Sequence, residues 1–267
     1  MKIISLNTWG GRGGKEGLLD FFKHHREDTD VFCLQEIWSA PYKDHEGQYA
    51  GGRPIEHAEI LINGVRDISE ILSDHTPFFH PHYLDNYGLM MLVKKEYTIR
   101  ESGDVFVYHE RGYIPTGDVG NHARNIQYAT CTVDGNDITF INFHGLWTDK
   151  EEGRGKQDIP ERIKQSENIL AFTRTLKNPF ILCGDFNLLP TTESIKKIEE
   201  AGLRNLIKEY NVSSTRTSHY TKPEKFADYA FVSHGLTVND FKVLPDVVSD
   251  HSPLFIDIEF PKATSLA

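Results

Sequence analysis

Polar side chains follow several apolar, strand-like runs of this sequence at the point where each run ends. The run 180–183 (FILC) is followed by Gly184, Asp185 and Asn187. Because polar groups buried away from water cost free energy unless they are paired, a strand that ends in a carboxylate and an amide needs an explanation. Taken alone, Asp185 is adequately explained as a turn or capping residue. A functional interpretation therefore depends on whether other strands end in the same way.

Four other runs end in residues that bind metal ions or transfer protons. Two of them end in Asn7 and Glu36, a third ends in His144, and the fourth is followed by Asp250 and His251. In a domain of strands and helices, ligand sites form at the rim where strand ends converge. We therefore predict that these side chains meet in one site.

The residue types in this set match the hydrolysis of a phosphate ester. Carboxylate and amide oxygens, without zinc-type cysteine spacing or a paired-histidine motif, suit Mg²⁺, or alternatively Mn²⁺, better than zinc. Histidines add general acid–base capacity near neutral pH. A bound cation and such a base together predict attack on phosphorus by an activated water.

The segments between these residues predict an α/β (α+β) fold of mixed sheets with helices outside. Strand-like runs lie at 2–7, 30–36, 89–95, 102–108, 125–133, 137–144, 180–187, 227–233 and 252–260, and helix-period segments at 17–25, 55–73, 159–176 and 193–200. The stretch Asp134-Gly135-Asn136-Asp137 predicts an antiparallel hairpin. Long loops are predicted at 39–53 and 148–158, and no linker is apparent, so residues 1–267 are expected to form a single domain.

Composition and charge narrow the class of protein. The chain has 267 residues, 39% of them hydrophobic, and a net charge of −10 at pH 7. Such acidity argues against a protein that coats nucleic acid through many phosphates. Cys33, Cys131 and Cys183 lie in apolar runs, which predicts buried thiols rather than disulfides. With no signal-peptide pattern and no transmembrane segment, we expect a cytoplasmic protein without an obligate protein partner.

Six sequence blocks in a fixed order resemble the endonuclease/exonuclease/phosphatase superfamily. The blocks are LNTWG, LQEIWS, NFHGLW, CGDFN, FADYAFVS and VSDHSPLF, and they extend over nearly the whole chain. The resemblance implies a four-layer sandwich, in which two mixed β-sheets pack face to face with helices on the outer faces. It also implies a Mg²⁺-dependent phosphoric ester hydrolase, foremost a phosphodiesterase. Two alternatives are a DNA or RNA nuclease of the same superfamily and a catalytically inactive binding module on the same fold.

The resemblance also implies which residues bind the metal ion. Glu36 matches the principal metal ligand, and Asn7 and Asp250 match residues close to the same ion or its waters.

Five further residues match catalytic positions of the superfamily. Asp185 resembles the residue that orients or deprotonates the attacking water, and Asn187 the donor to the phosphoryl oxygens. His251 resembles the histidine beside phosphorus, with Asp228 as the carboxylate that fixes its tautomer. His144 matches the second histidine of deoxyribonuclease-like and sphingomyelinase-like members. Whether Asp185 or His251 is the base stays open.

Arginine and tryptophan residues near these blocks each have two interpretations. Arg124 resembles a phosphate-contacting arginine of deoxyribonuclease-like members, and a surface arginine at a strand end is the alternative. Trp9, Trp38 and Trp147 each follow a predicted site residue by a few positions. Stacking on a base or sugar is one explanation, and packing at the rim of the site is the favoured one.

Two basic segments have similarly open interpretations. Arg154, Lys156 and Arg162 lie on a loop that leads into a helix, where they either meet a second phosphate or form an ordinary solvated loop. Arg216 and His219 lie shortly before the FADYAFVS block and are candidates for facing the site.

The substrate class remains divided between a small or lipid-linked phosphoester and a short stretch of nucleic acid. Trp9 stands where abasic-site endonucleases carry an acidic residue, and the blocks LNTWG and QEIWS are most similar to those of neutral sphingomyelinases. The acidic balance favours a compact substrate, and a cluster of basic residues around the site would reverse that preference.

Overall fold

The protein is described from a computed structural model, which covers residues 1–40, 47, 49–50, 53–116, 120–148 and 151–260. Most of the predicted loop at 39–53 lies outside these described residues.

Two six-stranded sheets make up most of the structure. In spatial order, the first sheet contains β13 (Thr237–Val243), β14 (Leu254–Glu259), β1 (Lys2–Asn7), β2 (Val31–Trp38), β6 (Tyr87–Lys94) and β5 (His75–Tyr83). The second contains β11 (Arg204–Asn205), β12 (Asp228–Val232), β10 (Phe180–Asp185), β9 (Asn136–His144), β8 (Arg124–Val133) and β7 (Thr98–Tyr108). Two short strands, β3 (Tyr49–Ala50) and β4 (Arg53–Pro54), pair separately.

Each sheet has one parallel pair of strands at its centre. In the first sheet β1 is parallel to β2, and in the second β9 is parallel to β10, while the neighbouring pairs are antiparallel. The prediction of mixed sheets is therefore confirmed. Parallel strands end at the same edge of a sheet, so these two pairs bring four carboxyl ends together in two adjacent sets.

The sheets pack face to face through alternating side chains. In β2, Val31 and Cys33 point into a large core that also contains residues of the second sheet, such as Ile141 of β9. Phe32 and Leu34 point to the opposite face, into a second core. This alternation is the two-residue period of a strand buried on both faces.

Helices cover the outer faces of the sheets. They are α1 (Lys15–His25), α2 (Gly64–Ile71), α3 (Pro160–Thr173), α4 (Glu193–Glu200) and α5 (Leu206–Glu209), with 3₁₀ turns at Trp9–Gly11 and Glu151–Lys156. Leu18 and Phe22 of α1 and Ile68 of α2 pack against the outer face of the first sheet. Among the described helices, none is long and apolar enough to cross a membrane.

The positions of most elements agree with the sequence predictions, but β5 and β13 were not predicted and one helix is shorter than expected. Residues 55–73 were expected to be helical, but only Gly64–Ile71 forms a helix. Strand β5 was not predicted because it contains Pro77 and Pro81, which sheets tolerate at an edge, where β5 lies. The hairpin between β8 and β9 is confirmed, with positive φ at both turn residues, Asp134 and Gly135. The three cysteines are free and buried, as predicted.

Gly184 of β10 lies where the two central strands of the second sheet approach each other closely. Its φ is +139°, and a Cβ at this position would lie 2.0 Å from the backbone oxygen of Phe143. We expect Gly184→Ala to lower the free energy of unfolding by about 2 kcal/mol or more, because of steric overlap and backbone strain. Urea denaturation measures the change.

Gly17→Ala is the matched control, since a Cβ there meets no atom within 4 Å in the helix α1. Alanine favours a helix over glycine, so this variant should be unchanged or more stable by up to about 1 kcal/mol. Equal stability of Gly184→Ala and the wild type would contradict the close strand approach.

Candidate active site

A cavity of about 230 Å³ opens at the carboxyl ends of the two parallel strand pairs. We call it the cleft. Six of the nine residues predicted from the sequence line it: Glu36, His144, Asp185, Asn187, Asp250 and His251. Two more, Asn7 and Asp228, lie directly behind the lining residues and contact them. The predicted convergence of strand ends is thus what the structure shows.

The second sheet places three of these residues side by side through its strand register. Asp185 at the end of β10 pairs with His144 at the end of β9 and with Asp228 at the start of β12. Paired residues on adjacent strands point to the same face. Three ionisable side chains therefore form a row across the edge of the sheet.

Asn7 links the two sheets at the base of the cleft. Its Nδ2 donates to Glu36 Oε1 at 3.1 Å and to Asp185 Oδ2 at 2.9 Å, while its Oδ1 accepts from the backbone N–H of Trp9 at 2.9 Å. The bond from Trp9 fixes which end of the amide carries the nitrogen. Asn7 thus presents its N–H groups to the two carboxylates, and its oxygen is turned toward the backbone.

Glu36 occupies an irregular position in β2. The register of β2 against β6 shifts between Leu34 and Ile37, and Glu36 itself has a φ of +60°. A bulge of this kind redirects a side chain at the rim of a sheet. Trp9, Lys156 and Asn187 around the same cleft also have positive φ, and strained backbone of this sort is concentrated at functional sites.

His251 and Asp228 form a buried hydrogen-bonded pair. His251 Nδ1 lies 2.8 Å from both oxygens of Asp228, and its Nε2 lies 3.5 Å from Asp185 Oδ2. With Nδ1 donating its proton to Asp228, the neutral imidazole has a lone pair on Nε2, which faces the cleft. Burial and Arg216 lower the pKa of His251, but Asp228, Asp250 and Asp185 outweigh them, so the pKa is raised overall.

Asp185 is held in the ionised form by its surroundings. Burial raises its pKa, but His251, Lys156 and Arg216 lower it by more. Its Oδ1 accepts the backbone N–H of Asn187 at 2.8 Å. An ionised, immobilised carboxylate at this place can orient a water or accept its proton.

Lys156 is a residue of the cleft that sequence analysis left undecided. It is 93% buried, and its Nζ donates to Asn187 Oδ1 at 2.6 Å. Burial, followed by Arg216, lowers the pKa of Lys156 to about 7. The bond orients the Asn187 amide, whose Nδ2 is 3.3 Å from the backbone oxygen of Gly145. The signal in the sequence was the long loop that contains Lys156, since loops of that length are often functional.

Arg216 lines the other side of the cleft, as predicted from its position shortly before the FADYAFVS block. Its Nη1 lies 3.1 Å from Asp250 Oδ2, and its guanidinium stacks 4.0 Å from the ring centre of Tyr220. Its neighbour His219 also lines the cleft. The other oxygen, Asp250 Oδ1, is buried and has no hydrogen-bond partner among the described residues.

Of the other basic and aromatic candidates, some line the cleft and others are buried in the interior, where they support the fold. Arg162 is buried and donates to the backbone oxygens of three loop residues, so it supports the loop structure. Trp38 is buried against Tyr87, with ring centres 4.7 Å apart. Trp9 and Trp147 line the cleft.

Arg124 lies behind the cleft rather than on its wall. Its side chain is fully buried, and its Nη2 donates to the backbone oxygen of Gly120 at 3.2 Å. The phosphate contact that the resemblance implied stays a prediction. Burial lowers the pKa of Arg124, while Tyr87, Glu36 and Asp185 raise it.

Three histidines pack beside Arg124 in the interior. The His82 ring stacks on His122 at 5.3 Å and meets the edge of His144 at 5.8 Å. Burial is the largest cause that lowers the pKa of all three, and the charge of Arg124 adds to it. His144, whose Nε2 lies 3.8 Å from both Glu36 Oε1 and Asp185 Oδ2, is therefore neutral at physiological pH.

The donor set of the cleft fits a divalent cation with oxygen ligands. Glu36 and Asp250 line the same cavity, and the charge of Asp250 contributes to the raised pKa of Glu36, whose largest cause is burial. Together with the unpartnered Asp250 Oδ1, these carboxylates have the chemistry that Mg²⁺ requires. Asp185, Asp228 and His251 also lie close together, but the hydrogen bonds of His251 already engage this group.

Solved structures with the same architecture are found at low sequence identity. An endonuclease/exonuclease/phosphatase family protein from Bacteroides thetaiotaomicron is 18% identical, with 98% of each chain covered and a TM-score of 0.72. A mannosyl-6-phosphatase from the same species is 17% identical, with 97% of this chain and 100% of that chain covered and a TM-score of 0.70. The human Nocturnin catalytic domain, solved with a bound sulfate anion, is 19% identical, with 98% and 93% covered and a TM-score of 0.61. These likenesses establish a shared fold.

The sequence itself establishes the family. The profile of the Endonuclease/Exonuclease/phosphatase family matches residues 4–251, and the chain belongs to this family. Its members are phosphoester hydrolases that generally depend on a divalent metal ion. Among curated protein sequences, none matches the chain.

The buried histidines make stability dependent on pH. His82 has a pKa lowered to about 3, so the unfolded chain binds a proton below about pH 6.5 that the folded protein does not. Above about pH 6.5 this histidine does not reduce the free energy of unfolding. Below that pH the free energy of unfolding falls by roughly 1.4 kcal/mol per pH unit for one such group. His82→Gln should reduce the loss between pH 7 and pH 5 by about 2 kcal/mol, as measured by urea unfolding at each pH.

The exposed His24→Gln variant is the control, and it should follow the wild-type pH profile. An unaltered pH dependence in His82→Gln would show that the interior histidine is not the group responsible.

Proposed function

We propose that this protein is a Mg²⁺-dependent hydrolase of phosphate esters, foremost a phosphodiesterase. One observation carries the proposal: Asp250, whose Oδ1 has no hydrogen-bond partner among the described residues, and Glu36 share a cleft with the Asp228–His251 pair and ionised Asp185. Metal ligands and acid–base groups within one small cavity are what metal-assisted hydrolysis requires. Mn²⁺ is an alternative cation, because it accepts the same oxygen ligands.

Glu36 and Asp250 would hold the metal ion, which supplies Lewis-acid stabilisation of the phosphoryl oxygens. Asn7 keeps Glu36 and Asp185 in fixed relative positions by donating to both. We therefore assign Asn7 a positioning role, consistent with the direction of its amide. Arg216 holds Asp250 by the second oxygen, which leaves Oδ1 for the cation.

Asp185 and His251 divide the proton chemistry. Asp185 stays ionised and would orient the attacking water through the oxygen that faces His251 Nε2. His251, with its tautomer fixed by Asp228, would exchange a proton at Nε2. Neutral His144 lies within 4 Å of Glu36 and Asp185 and would provide a further polar contact to the reacting group.

Asn187 and Lys156 would stabilise the charge that develops on phosphorus. A positively charged Lys156 polarises the amide of Asn187, which makes its Nδ2 a stronger donor to a phosphoryl oxygen. Preorganised donors of this type account for a large part of catalysis in hydrolases.

A nuclease of the same family is the second candidate function. Lys156, Arg216 and Lys222 line the cleft beside the carboxylates of Glu36, Asp185 and Asp250, and these cations would favour an anionic substrate such as a nucleic-acid backbone. A panel of plasmid, single-stranded DNA, RNA and small phosphodiesters, each with and without Mg²⁺, separates the two. An inactive binding module is disfavoured because every motif residue is present.

Two wider proposals accompany this function. We propose that residues 1–267 form one domain, since both sheets contribute to one core. We also propose a cytoplasmic location, which the three unpaired cysteines support because such thiols persist in a reducing compartment.

Replacement of the central residues tests the mechanism. Glu36→Gln, Asp185→Asn and His251→Gln should each reduce kcat for bis(p-nitrophenyl) phosphate by about 10²-fold or more, because each removes a group that acts at the reacting centre. The exposed Glu27→Gln should retain wild-type activity. Circular dichroism checks that the variants fold.

Measurements of metal binding distinguish a metal ligand such as Glu36 from an acid–base residue such as His251. EDTA should abolish activity and Mg²⁺ restore it, and calorimetry should show weaker Mg²⁺ binding in Glu36→Gln than in His251→Gln. Wild-type turnover in two of the three variants, or activity that persists in EDTA, would refute the mechanism.

The protonation of Lys156 predicts a pH effect on catalysis. Because its pKa is about 7, Lys156 loses its charge as the pH rises through neutrality, and kcat/KM should fall there. In Lys156→Met, kcat/KM should no longer fall as the pH rises through neutrality, and its value at pH 6 should be roughly tenfold lower than in the wild type. Lys164→Met, which alters an exposed lysine of α3, should show the same decrease of kcat/KM with pH as the wild type. If Lys156→Met also shows this decrease, the group that titrates is not Lys156.

A further inference from the structure

A second cavity opens beside the cleft, and we call it the side cavity. It has a volume of about 280 Å³ and shares Trp147, Lys156, Tyr220 and Lys222 with the cleft. Because these four residues line both spaces, the two cavities adjoin each other. A ligand whose phosphate lies at the catalytic residues can therefore extend into the side cavity.

The walls of the side cavity are built by two segments. One is the 3₁₀ turn Glu151–Lys156, and the other runs from Tyr220 to Glu224. Gly155 has a φ of +68°, and a Cβ there would lie 3.3 Å from Glu224 Oε1. Glycine therefore allows the turn both to reverse and to approach the opposite wall.

The side cavity is positively charged in a chain whose net charge is −10. Arg154, Lys156 and Lys222 line it, against one carboxylate, Glu224. Oε2 of Glu224 accepts the hydroxyl of Tyr220 at 3.0 Å. Arg162 also lines the space, but its guanidinium donates to backbone carbonyls of the loop.

Two of these cations are not engaged by a carboxylate in the part of the chain that the structure describes. Arg154 and Lys222 are exposed, and neither forms an ion pair with any residue in the described ranges. Lys222 Nζ lies 5.8 Å from the centre of the Trp147 ring. Cations beside an aromatic wall, in a pocket that adjoins the cleft, are suited to an anionic group attached to an organic moiety.

We propose that the side cavity binds a second anionic group of the substrate, so that the substrate class is an organic phosphoester carrying a second phosphate. This inference rests on the proposed hydrolase function, which places the first phosphate at Asp185 and His251. A neutral alcohol would leave Arg154 and Lys222 without a partner, whereas a second phosphate pairs with both. Trp147 would then contact the organic part that joins the two phosphates.

Matched pairs of ligands test the proposal directly. Adenosine 3′,5′-bisphosphate is compared with adenosine 5′-monophosphate, and fructose 1,6-bisphosphate with fructose 6-phosphate. Binding is measured by calorimetry in EDTA, which prevents turnover, at about 0.15 M salt, where distant charges are screened. In at least one pair the bisphosphate should bind roughly tenfold more tightly.

Charge variants locate the effect. Lys222→Glu and Arg154→Glu should each remove most of the bisphosphate preference. Glu224→Gln should increase the preference, because it removes the carboxylate of the cavity and keeps an acceptor for Tyr220. Lys225→Glu changes an exposed lysine of the same segment that lines neither cavity, and the preference should remain.

The outcomes separate this inference from the proposed function. Equal binding within both pairs, or a preference unaffected by Lys222→Glu, would overturn the side-cavity assignment. Hydrolysis of bis(p-nitrophenyl) phosphate is measured independently. Hydrolysis without a bisphosphate preference would support the proposed enzyme function and reject the side-cavity assignment. A bisphosphate preference without hydrolysis would support the side-cavity assignment and reject the proposed enzyme function.

Discussion

The relative position of the two sheets is fixed by a buried amide network beside the active site. Gln35 Nε2 of the first sheet donates to Asn142 Oδ1 of the second at 2.6 Å. Asn142 Nδ2 in turn lies within hydrogen-bond distance of the backbone oxygen of Leu34 at 2.9 Å and of Gln127 Oε1 at 3.1 Å. Unpaired amides in an apolar core are costly, so sliding one sheet against the other would break several buried bonds at once. Gln35 immediately precedes Glu36, and Asn142 lies two residues before His144, so the same network holds these two cleft residues of different sheets in fixed relative positions.

This constraint lets the site combine rigid strands with strained connections. The carboxyl ends of two parallel pairs supply Asn7, His144 and Asp185, whose positions follow directly from strand register. Glu36 and Asn187 instead depend on positive φ. Such conformations cost on the order of 1–3 kcal/mol each and persist only when the surrounding structure fixes them. The interlocked sheets provide that fixation.

The sequence predicted the site residues that lie at strand ends, but it did not predict contacts that depend on the geometry of a loop. Asp185 and His251 were found because polar residues at the ends of apolar runs are conspicuous. Lys156 was undecided, because a lysine among charged loop residues is ordinarily solvated. In the structure it is buried and its Nζ donates to Asn187 Oδ1, in a loop where both Gly155 and Lys156 have positive φ. Trp38 and Trp9 each follow a site residue by two positions, yet one is buried in the core and the other lines the cleft. Such spacing carries no information on the direction of a side chain once a bulge intervenes.

The electrostatics of the cleft explain why a cation would stabilise the fold as well as the reaction. Burial, with a contribution from Asp250, raises the pKa of Glu36 despite the opposing charge of Arg12. The folded protein therefore holds a proton on Glu36 at pH values where the unfolded chain has lost it, and ionised Glu36 lowers stability above that range. A divalent cation, if held by Glu36 and Asp250 as proposed, would favour the ionised form and would reverse the sign of this contribution. Any ligand that binds only the folded state adds stability in proportion to the logarithm of its concentration. If Glu36 and Asp250 bind the metal ion as proposed, metal binding would therefore also increase the free energy of unfolding.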